Sequence, residues 1–464
     1  MPPCARDDLR STAADKASPV YQPSAPGPLK KKISELTEDE ISIDSTIYNI
    51  KDFKHPGGDI VKLFGGNNVT EQYKMIHASH SLKPEYFLSR MKAVGQVTDF
   101  EPEYSWGSEF EKEMKREIFK IVPPHKHFGT PGYFYRAAFY ITFMTVVQGM
   151  WCYYGSSVTI AFFLGCAQAL IGLNVQHDAN HGAASKKYWV NELLGYGADM
   201  IGGSKYSWIE QHWTHHAYTN HNEKDGDALS AEPLMLFNDY PRGDPRRKWF
   251  HNFQGLYFLP LLSFYWLSSV FNPQLLDLKH AGTKHVMNWE NSYIKGKIAI
   301  SLGLRFLYIC MNVISPFFRH DVGTAVYHIW IMSTVESLFL SGLFSLSHNF
   351  EGADRDPTIE ARGKDGKPVD WFKAQVETSS TYGSFISSWI TGGLNHQIEH
   401  HLFPRMSSSY YPIIAPKVRE ICEKHGVKYH WYPWIHQNIV ATFTYMHRAG
   451  VGSHWEFKAL HGSA

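Results

Sequence analysis

Two pairs of long apolar runs constrain this chain more than any other feature. Residues 133–154 and 156–176 are almost continuously apolar and aromatic, and so are 299–318 and 324–346. Each is close to the ~20 residues that cross a bilayer as a helix. Gly155 and its serine neighbours separate the first two runs, and Arg319, His320 and Asp321 separate the second two. Connections that short make each pair a helical hairpin, so the sequence predicts four transmembrane helices. A further apolar stretch, Leu256 to Phe271, is shorter and broken by Pro260, which predicts an element lying along the interface.

Charge orients the hairpins. Lys186, Lys187, Arg246, Arg247 and Lys248 lie between them, whereas the turns inside them carry only Arg319, offset by Asp321. By the positive-inside rule, both termini and the long middle loop face the cytosol. Over the whole chain, 45 Lys and Arg balance 44 Asp and Glu for a net +1. No global field is available to hold nucleic acid, and none is expected as a partner. Five widely spaced cysteines without a CxxC pair suggest neither a disulfide framework nor a thiolate zinc site.

Composition divides the chain. Residues 1–30 mix charge with Pro, Ser and Ala and read as a disordered leader. Residues 33–98 read as a small α+β domain, with strand-like alternation at Ile43, Ile47, Tyr48 and Ile50 and helical spacing between Ile60 and Met91. A charged linker covers 99–128. Residues 129–464 form an all-α polytopic membrane domain, closed by a cytosolic helical cap from Tyr410 onward.

Histidine is the outlier, at 26 of 464 residues, and it clusters. HDANH (His177, His181) follows the second predicted span, HWTHH (His212, His215, His216) lies between the hairpins, and His348 follows the fourth span. QIEHH (Gln397, His400, His401) comes last. Spacings of i, i+3 and i+4 put each set on one helical face. With four spans, all the sets share one side of the membrane, so their imidazoles can converge. Eight are too many for one zinc, and imidazole suits iron, copper and zinc alike. His396, at i, i+4 from His400, competes with Gln397 for a place in the cluster.

Near the N-terminus, HPGGD (His55 to Asp59) combines a histidine with a turn tight enough for close approach to a planar group. Phe53, Leu63, Phe64 and Tyr73 are available to wall a pocket. Over residues 33–98 this resembles the cytochrome b5 haem domain, with His55 at the first axial position. VTEQYKMIHASH offers His77 and His80 for the second, and the spacing from Thr70 in desaturase-fused domains favours His77. HDANH, HWTHH and QIEHH, in that order around two hairpins, resemble the histidine boxes of membrane fatty acyl desaturases. Gln397 is the mark of the cytochrome b5-fused front-end branch.

That resemblance implies an α+β cytochrome b5-like haem domain followed by a four-span membrane desaturase domain with a cytosolic cap. It implies haem b on His55 and His77. Two non-haem iron ions would be held by His177, His181, His212, His215, His216, His348, His400 and His401, with Gln397 a direct or water-mediated ligand. The expected activity is front-end desaturation of polyunsaturated fatty acyl chains, at the delta-5 position of 20-carbon substrates. Dioxygen is the co-substrate, and electrons come from an NADH-cytochrome b5 reductase through the fused haem. The alternatives are a delta-6 acyl desaturase, a sphingoid-base desaturase and a lipid hydroxylase. The substrate is a fatty acyl lipid or acyl-CoA, and the expected location is the endoplasmic reticulum membrane. Arg305 and Glu336, on adjacent predicted spans, are expected to pair, and Asn349, Asp354 and Asp356 are expected to orient imidazoles.

Overall fold

The computed structural model describes residues 27, 29–82, 84–271, 291–353 and 368–453. The leader expected over 1–30 lies outside them except at its end, where Leu29 and Lys30 belong to the first strand. Strands β1 (Leu29–Lys31), β2 (Glu40–Ile43), β3 (Thr46–Asn49) and β4 (Lys92–Val97) form one sheet in the order β1-β4-β3-β2. The β2–β3 hairpin pairs Ile41 with Tyr48, and Asp44 takes a φ of 50° in its turn, a conformation that aspartate tolerates better than most residues. Ile41, Ile43 and Ile47 are buried, so the alternation seen in the sequence is a half-buried sheet. After β3 the chain turns at HPGG and enters α1 (Thr70–Ile76), which is capped C-terminally by His77.

The stretch expected as a linker contains α2 (Glu109–Ile121), begun by Ser108, whose Oγ accepts the Glu111 N–H at 3.1 Å. The membrane part follows with α3 (Pro131–Tyr154), α4 (Val158–Asn180), α5 (Lys205–Ala217), α6 (Ser292–Phe318) and α7 (Val322–His348). Gly155, at φ 89°, turns α3 into α4, and the Asp321 carboxylate caps α7 by accepting the Thr324 N–H at 3.1 Å. Among the described residues α4, α6 and α7 are long and apolar enough to cross a membrane. The fourth expected span, α3, is 24 residues long and packs on α4, but its Tyr, Thr and Gln residues dilute its apolar character.

Gly165 lets α4 and α7 approach closely: a Cβ there would lie 2.5 Å from the Met332 carbonyl oxygen. The Leu256–Phe271 stretch folds as two short helices, Gln254–Leu262 and Tyr265–Val270, neither long enough to span.

C-terminally come α8 (Gln397–Leu402), α9 (Tyr411–Lys424) and α10 (Ile435–Val451). One hydrophobic core runs from Ile41 and Leu63 in the N-terminal unit, through Phe110 and Met114 of α2 and Trp213 of α5, to Ile398 and Ile414. Glu113 of α2 pairs with Lys424 at 2.6 Å and His425 at 2.7 Å at the end of α9. The N-terminal unit is therefore packed onto the membrane part along a shared core.

The expected Arg305–Glu336 pair does not form. Arg305 donates to the Ser269 carbonyl at 2.6 Å, and the carboxylate acting on it is Asp199. Ionisable groups on spans pair with one another or with backbone carbonyls, and Arg305 takes the carbonyl that packing brings within its reach. Glu336 is buried, and its Oε2 has no hydrogen-bond partner.

Candidate functional site

Four elements bring the predicted metal residues to one place. A widened π-turn at Gly172–Gln176 resets the register of α4 just before His177, an irregularity that recurs at functional sites. α5 presents His212, His215 and His216 on successive turns, α7 ends at His348, and α8 presents Gln397, His400 and His401. None of the nine predicted residues is more than 4% exposed.

They fall into two groups. His177, His181, His212 and His400 form one, and His215, His348 and His401 form the other, with one ring nitrogen per residue lying within 4.8 Å of the others in its group. His216 stands between them, its Nε2 3.1 Å from that of His212 and its ring stacked 4.1 Å from His401. The Gln397 amide is 3.0 Å from His348 Nε2 and 3.2 Å from His401 Nε2. His396 points elsewhere, with Nδ1 3.7 Å from the Glu399 carboxylate, so of the two neighbours Gln397 is the one at the cluster.

Hydrogen bonds on the outer nitrogens fix the tautomers. Nδ1 of His215 donates to Asp225 at 2.9 Å, Nδ1 of His348 to the Thr378 carbonyl at 3.1 Å, and Nδ1 of His401 to Gln375 Oε1 at 2.7 Å. His400 Nδ1 lies 3.0 Å from the Tyr411 hydroxyl, which itself donates to the Met406 carbonyl at 2.8 Å and so accepts from the imidazole. Each of these four rings therefore keeps its Nε2 lone pair turned inward, the arrangement that metal-ligating histidines use.

The inner nitrogens fit a cation. Both ring nitrogens of His177 and His181, Nε2 of His400 and Oε1 of Gln397 are buried without a hydrogen-bond partner, a costly state for polar atoms unless an ion takes them up. Two nitrogens held by one ion at about 2.0–2.1 Å sit roughly 3 Å apart, and the His215–His348 Nε2 separation is 3.3 Å. Burial, reinforced by neighbouring imidazoles, pulls His181, His212, His216, His400 and His401 well below the ordinary histidine range. They stay neutral, which is the ligand form. His215 is the exception: burial pulls it down, but Asp225 and Asp227 outweigh that and raise it.

The second predicted site is a cavity of about 740 Å³ between the N-terminal unit and the membrane part. Its lining includes His55, His77, Phe53, Phe64 and Tyr73 from one side and His181, Trp213 and Arg405 from the other. The His55 and His77 rings lie edge to face, with centroids 5.9 Å apart and 67° between their planes. His80 is stacked 3.6 Å from Phe87 and bonded to the Tyr73 hydroxyl at 3.1 Å, and His77 is stacked 4.3 Å from His80 with its Nδ1 3.2 Å from Arg405 Nη1. Burial, then the charge of Arg405, lowers His55 to about 4. A Cβ on Gly57 would lie 2.7 Å from the His55 ring, which would have to shift to admit it.

Sequence reasoning missed the residues that orient the imidazoles. Asn349 is buried beside His348 as the C-cap of α7, and Asp354 and Asp356 lie outside the described residues. Asp225, Thr378, Gln375 and Tyr411 hold the rings of His215, His348, His401 and His400. Asp225 carried a weak signal, an acidic residue in the turn after HWTHH. The other three are brought in by tertiary packing alone.

The fatty acid desaturase family model matches residues 150–433, more than half of the chain. An acyl-lipid (7-3)-desaturase from Rebecca salina is 33% identical over 88% of this chain and 90% of its own length. Its counterpart from Diacronema lutheri is 31% identical over 90% of this chain and 92% of its own length. A Delta(5) fatty acid desaturase A from Dictyostelium discoideum is 26% identical over 88% of this chain and 90% of its own length. The chain belongs to the fatty acid desaturase family. It is an oxidoreductase acting on fatty acyl chains.

Proposed function

We propose that this enzyme is a front-end acyl-lipid desaturase that inserts a double bond at the delta-5 position of 20-carbon polyunsaturated chains. The observation that carries the metal chemistry is the convergence of eight histidines and Gln397, with partnerless nitrogens turned inward. Two iron ions held by these residues would activate dioxygen to remove two hydrogens from adjacent methylenes, chemistry beyond any side-chain acid or base. Asp225, Thr378, Gln375 and Tyr411 hold the ligand rings in one tautomer, and the buried shell excludes bulk water.

The N-terminal unit is proposed to be a cytochrome b5-like domain whose His55 and His77 hold haem b, reduced by an NADH-dependent reductase. Its four-stranded sheet, the HPGG turn and the neighbouring His55 and His77 at the cavity support that reading. α3 is taken as the fourth span, because it forms a hairpin with α4 and turns Tyr135, Phe139 and Val146 outward. With four spans both termini and the histidine cluster share one face, which we take to be the cytosolic face of the endoplasmic reticulum membrane.

Delta-5 selectivity is supported by relatives named (8-3)- and Delta(5) desaturases. A second reading, the (7-3) specificity, is favoured by the higher identity of the relatives so named, 33% against 28%. Expression in yeast fed separately with polyunsaturated acids of 18, 20 and 22 carbons, followed by gas chromatography, separates them. A new double bond at delta-5 of the 20-carbon acid alone is the expected product. A new double bond at a position other than delta-5 supports the second reading, and a hydroxylated product refutes both.

A further inference from the structure

The last described helix turns an apolar stripe outward. In α10, Ile435, Ile439 and Phe443 recur at every fourth position with Val440 beside them, and all four are exposed, Val440 to 63%. The opposite face is buried through Asn438, Thr442, Tyr445, Met446 and Ala449. The helix carries no Asp or Glu, and Trp434, 66% exposed, stands just before it. Single apolar residues on a surface are ordinary, whereas a contiguous stripe marks a surface that something covers.

Packing fixes the level at which the stripe lies. Asn438 Nδ2 donates to the Leu346 carbonyl at 3.0 Å in the last turn of α7, and just beyond that turn the Glu351 N–H donates to the Ala441 carbonyl of α10 at 3.1 Å. α10 also packs on the Gln254–Leu262 helix: Gln254 Nε2 donates to the Met446 carbonyl at 3.0 Å, and the Phe258 and Phe443 rings meet with centroids 4.6 Å apart. That short helix ends beside the span, where the Ser341 hydroxyl of α7 donates to the Leu262 carbonyl at 3.2 Å. Ser341 lies about two helical turns, or ~10 Å, before His348. The short helix turns apolar side chains outward as well, Phe253, Leu256 and Leu259. α10 is therefore held between the end of a span and a helix that dips alongside it.

Resting on the membrane-spanning reading above, we infer that α10 is seated on the bilayer, its apolar stripe sunk between the head groups and acyl chains of the leaflet nearest the histidine cluster. A helix in that position keeps its apolar face in lipid and its polar face on the protein or in water. Trp434 then stands where indoles collect at membrane interfaces. Lipid is the occupant because the stripe borders the outward apolar face of the Gln254–Leu262 helix, which runs down beside α7. The cap expected in the cytosol is thus anchored by its last helix, and that helix also braces the turn of α7 that ends at His348.

The test places a fluorescent probe on Val440→Cys in the full-length protein, made with Cys4→Ser and Cys152→Ser and reconstituted in phosphatidylcholine nanodiscs, with the chain lacking the new cysteine as background. Phosphatidylcholine carrying a nitroxide near the head of its acyl chain is expected to lower the emission at least about twofold, as a depth of about 5–10 Å requires. Aqueous iodide is expected to have little effect. A probe on Glu109→Cys, at the exposed start of α2, is expected to show the reverse. Ile439→Cys replaces Val440→Cys if the latter does not accumulate. Quenching of the α10 probe by iodide and not by lipid overturns the inference. Quenching by neither also overturns it, because a second copy of the chain or another protein then covers the stripe. A probe on Leu338→Cys, outward on the middle of α7, separates the two readings: if a nitroxide deep in the acyl chain fails to quench it, the membrane-spanning reading falls with the inference.

Discussion

Both carboxylate oxygens of Asp225 lie within 3.0 Å of His215 Nδ1, and they also accept the backbone N–H groups of Asn220 at 2.8 Å and Asp227 at 2.9 Å. One side chain therefore builds the turn after α5 and fixes a ligand tautomer. Asn at this position turns an amide NH2 toward at least one donor, so either the turn or the imidazole loses its acceptor. Asp225→Asn is expected to lower metal affinity about 10–100-fold with haem content unchanged, read as the iron-to-haem ratio by elemental analysis. An unaltered ratio removes Asp225 from the site.

Tyr411 passes one hydrogen bond along. Its hydroxyl accepts from His400 and donates to Met406, linking a ligand to the loop that carries Arg405. Tyr411→Phe strands the His400 N–H in a buried place, which costs about 1–3 kcal/mol. Lower thermal stability together with slower turnover is expected. Full turnover in a stable Tyr411→Phe protein would mean that packing alone orients His400.

The histidine cluster was legible because α5 and α8 keep histidines on one helical face, and helical spacing survives into the fold unchanged. HPGG was legible because the tight turn needs a glycine at Gly58, where φ is 80°. Tyr411, Gln375 and Arg405 were not, since each acts on a partner brought near only by packing: Gln375 meets His401 from a separate helix, and Arg405 meets His77 across the join between the two units. Arg305 was misassigned for a related reason. Adjacent predicted spans suggested Glu336, whereas the side chain reaches the Ser269 carbonyl outside the bundle.

Helix approach at Gly165 ties the spans to the site, because α4 and α7 carry His177 and His348 at their ends. Even an alanine Cβ there would press on the Met332 carbonyl at 2.5 Å, whereas Gly149 on α3 has nothing within 4 Å of its Cβ position. Gly165→Ala is expected to cost about 1–3 kcal/mol, as overpacking does, and to lower metal content. Gly149→Ala should match wild type in melting temperature and metal content, and equal behaviour of the two variants would refute the close approach.

Glu71 gives the fold a pH dependence of known sign. It lies on α1 with Oε2 accepting the Trp106 indole N–H at 2.8 Å, and Trp106 stacks on Trp371 of the membrane part at 4.7 Å. Burial raises its carboxyl from 4.5 to about 7, against the opposing pull of Lys74. Between those values the folded chain holds a proton that the unfolded chain has released, so stability falls as pH rises through this window and levels off above about 7. Glu71→Gln keeps an acceptor and cannot ionise. Its unfolding free energy should equal that of wild type near pH 4.5 and exceed it increasingly up to about pH 7, by no more than about 3.4 kcal/mol. A difference that shrinks as pH rises would mean that Glu71 is ionised in the folded protein and held by Lys74.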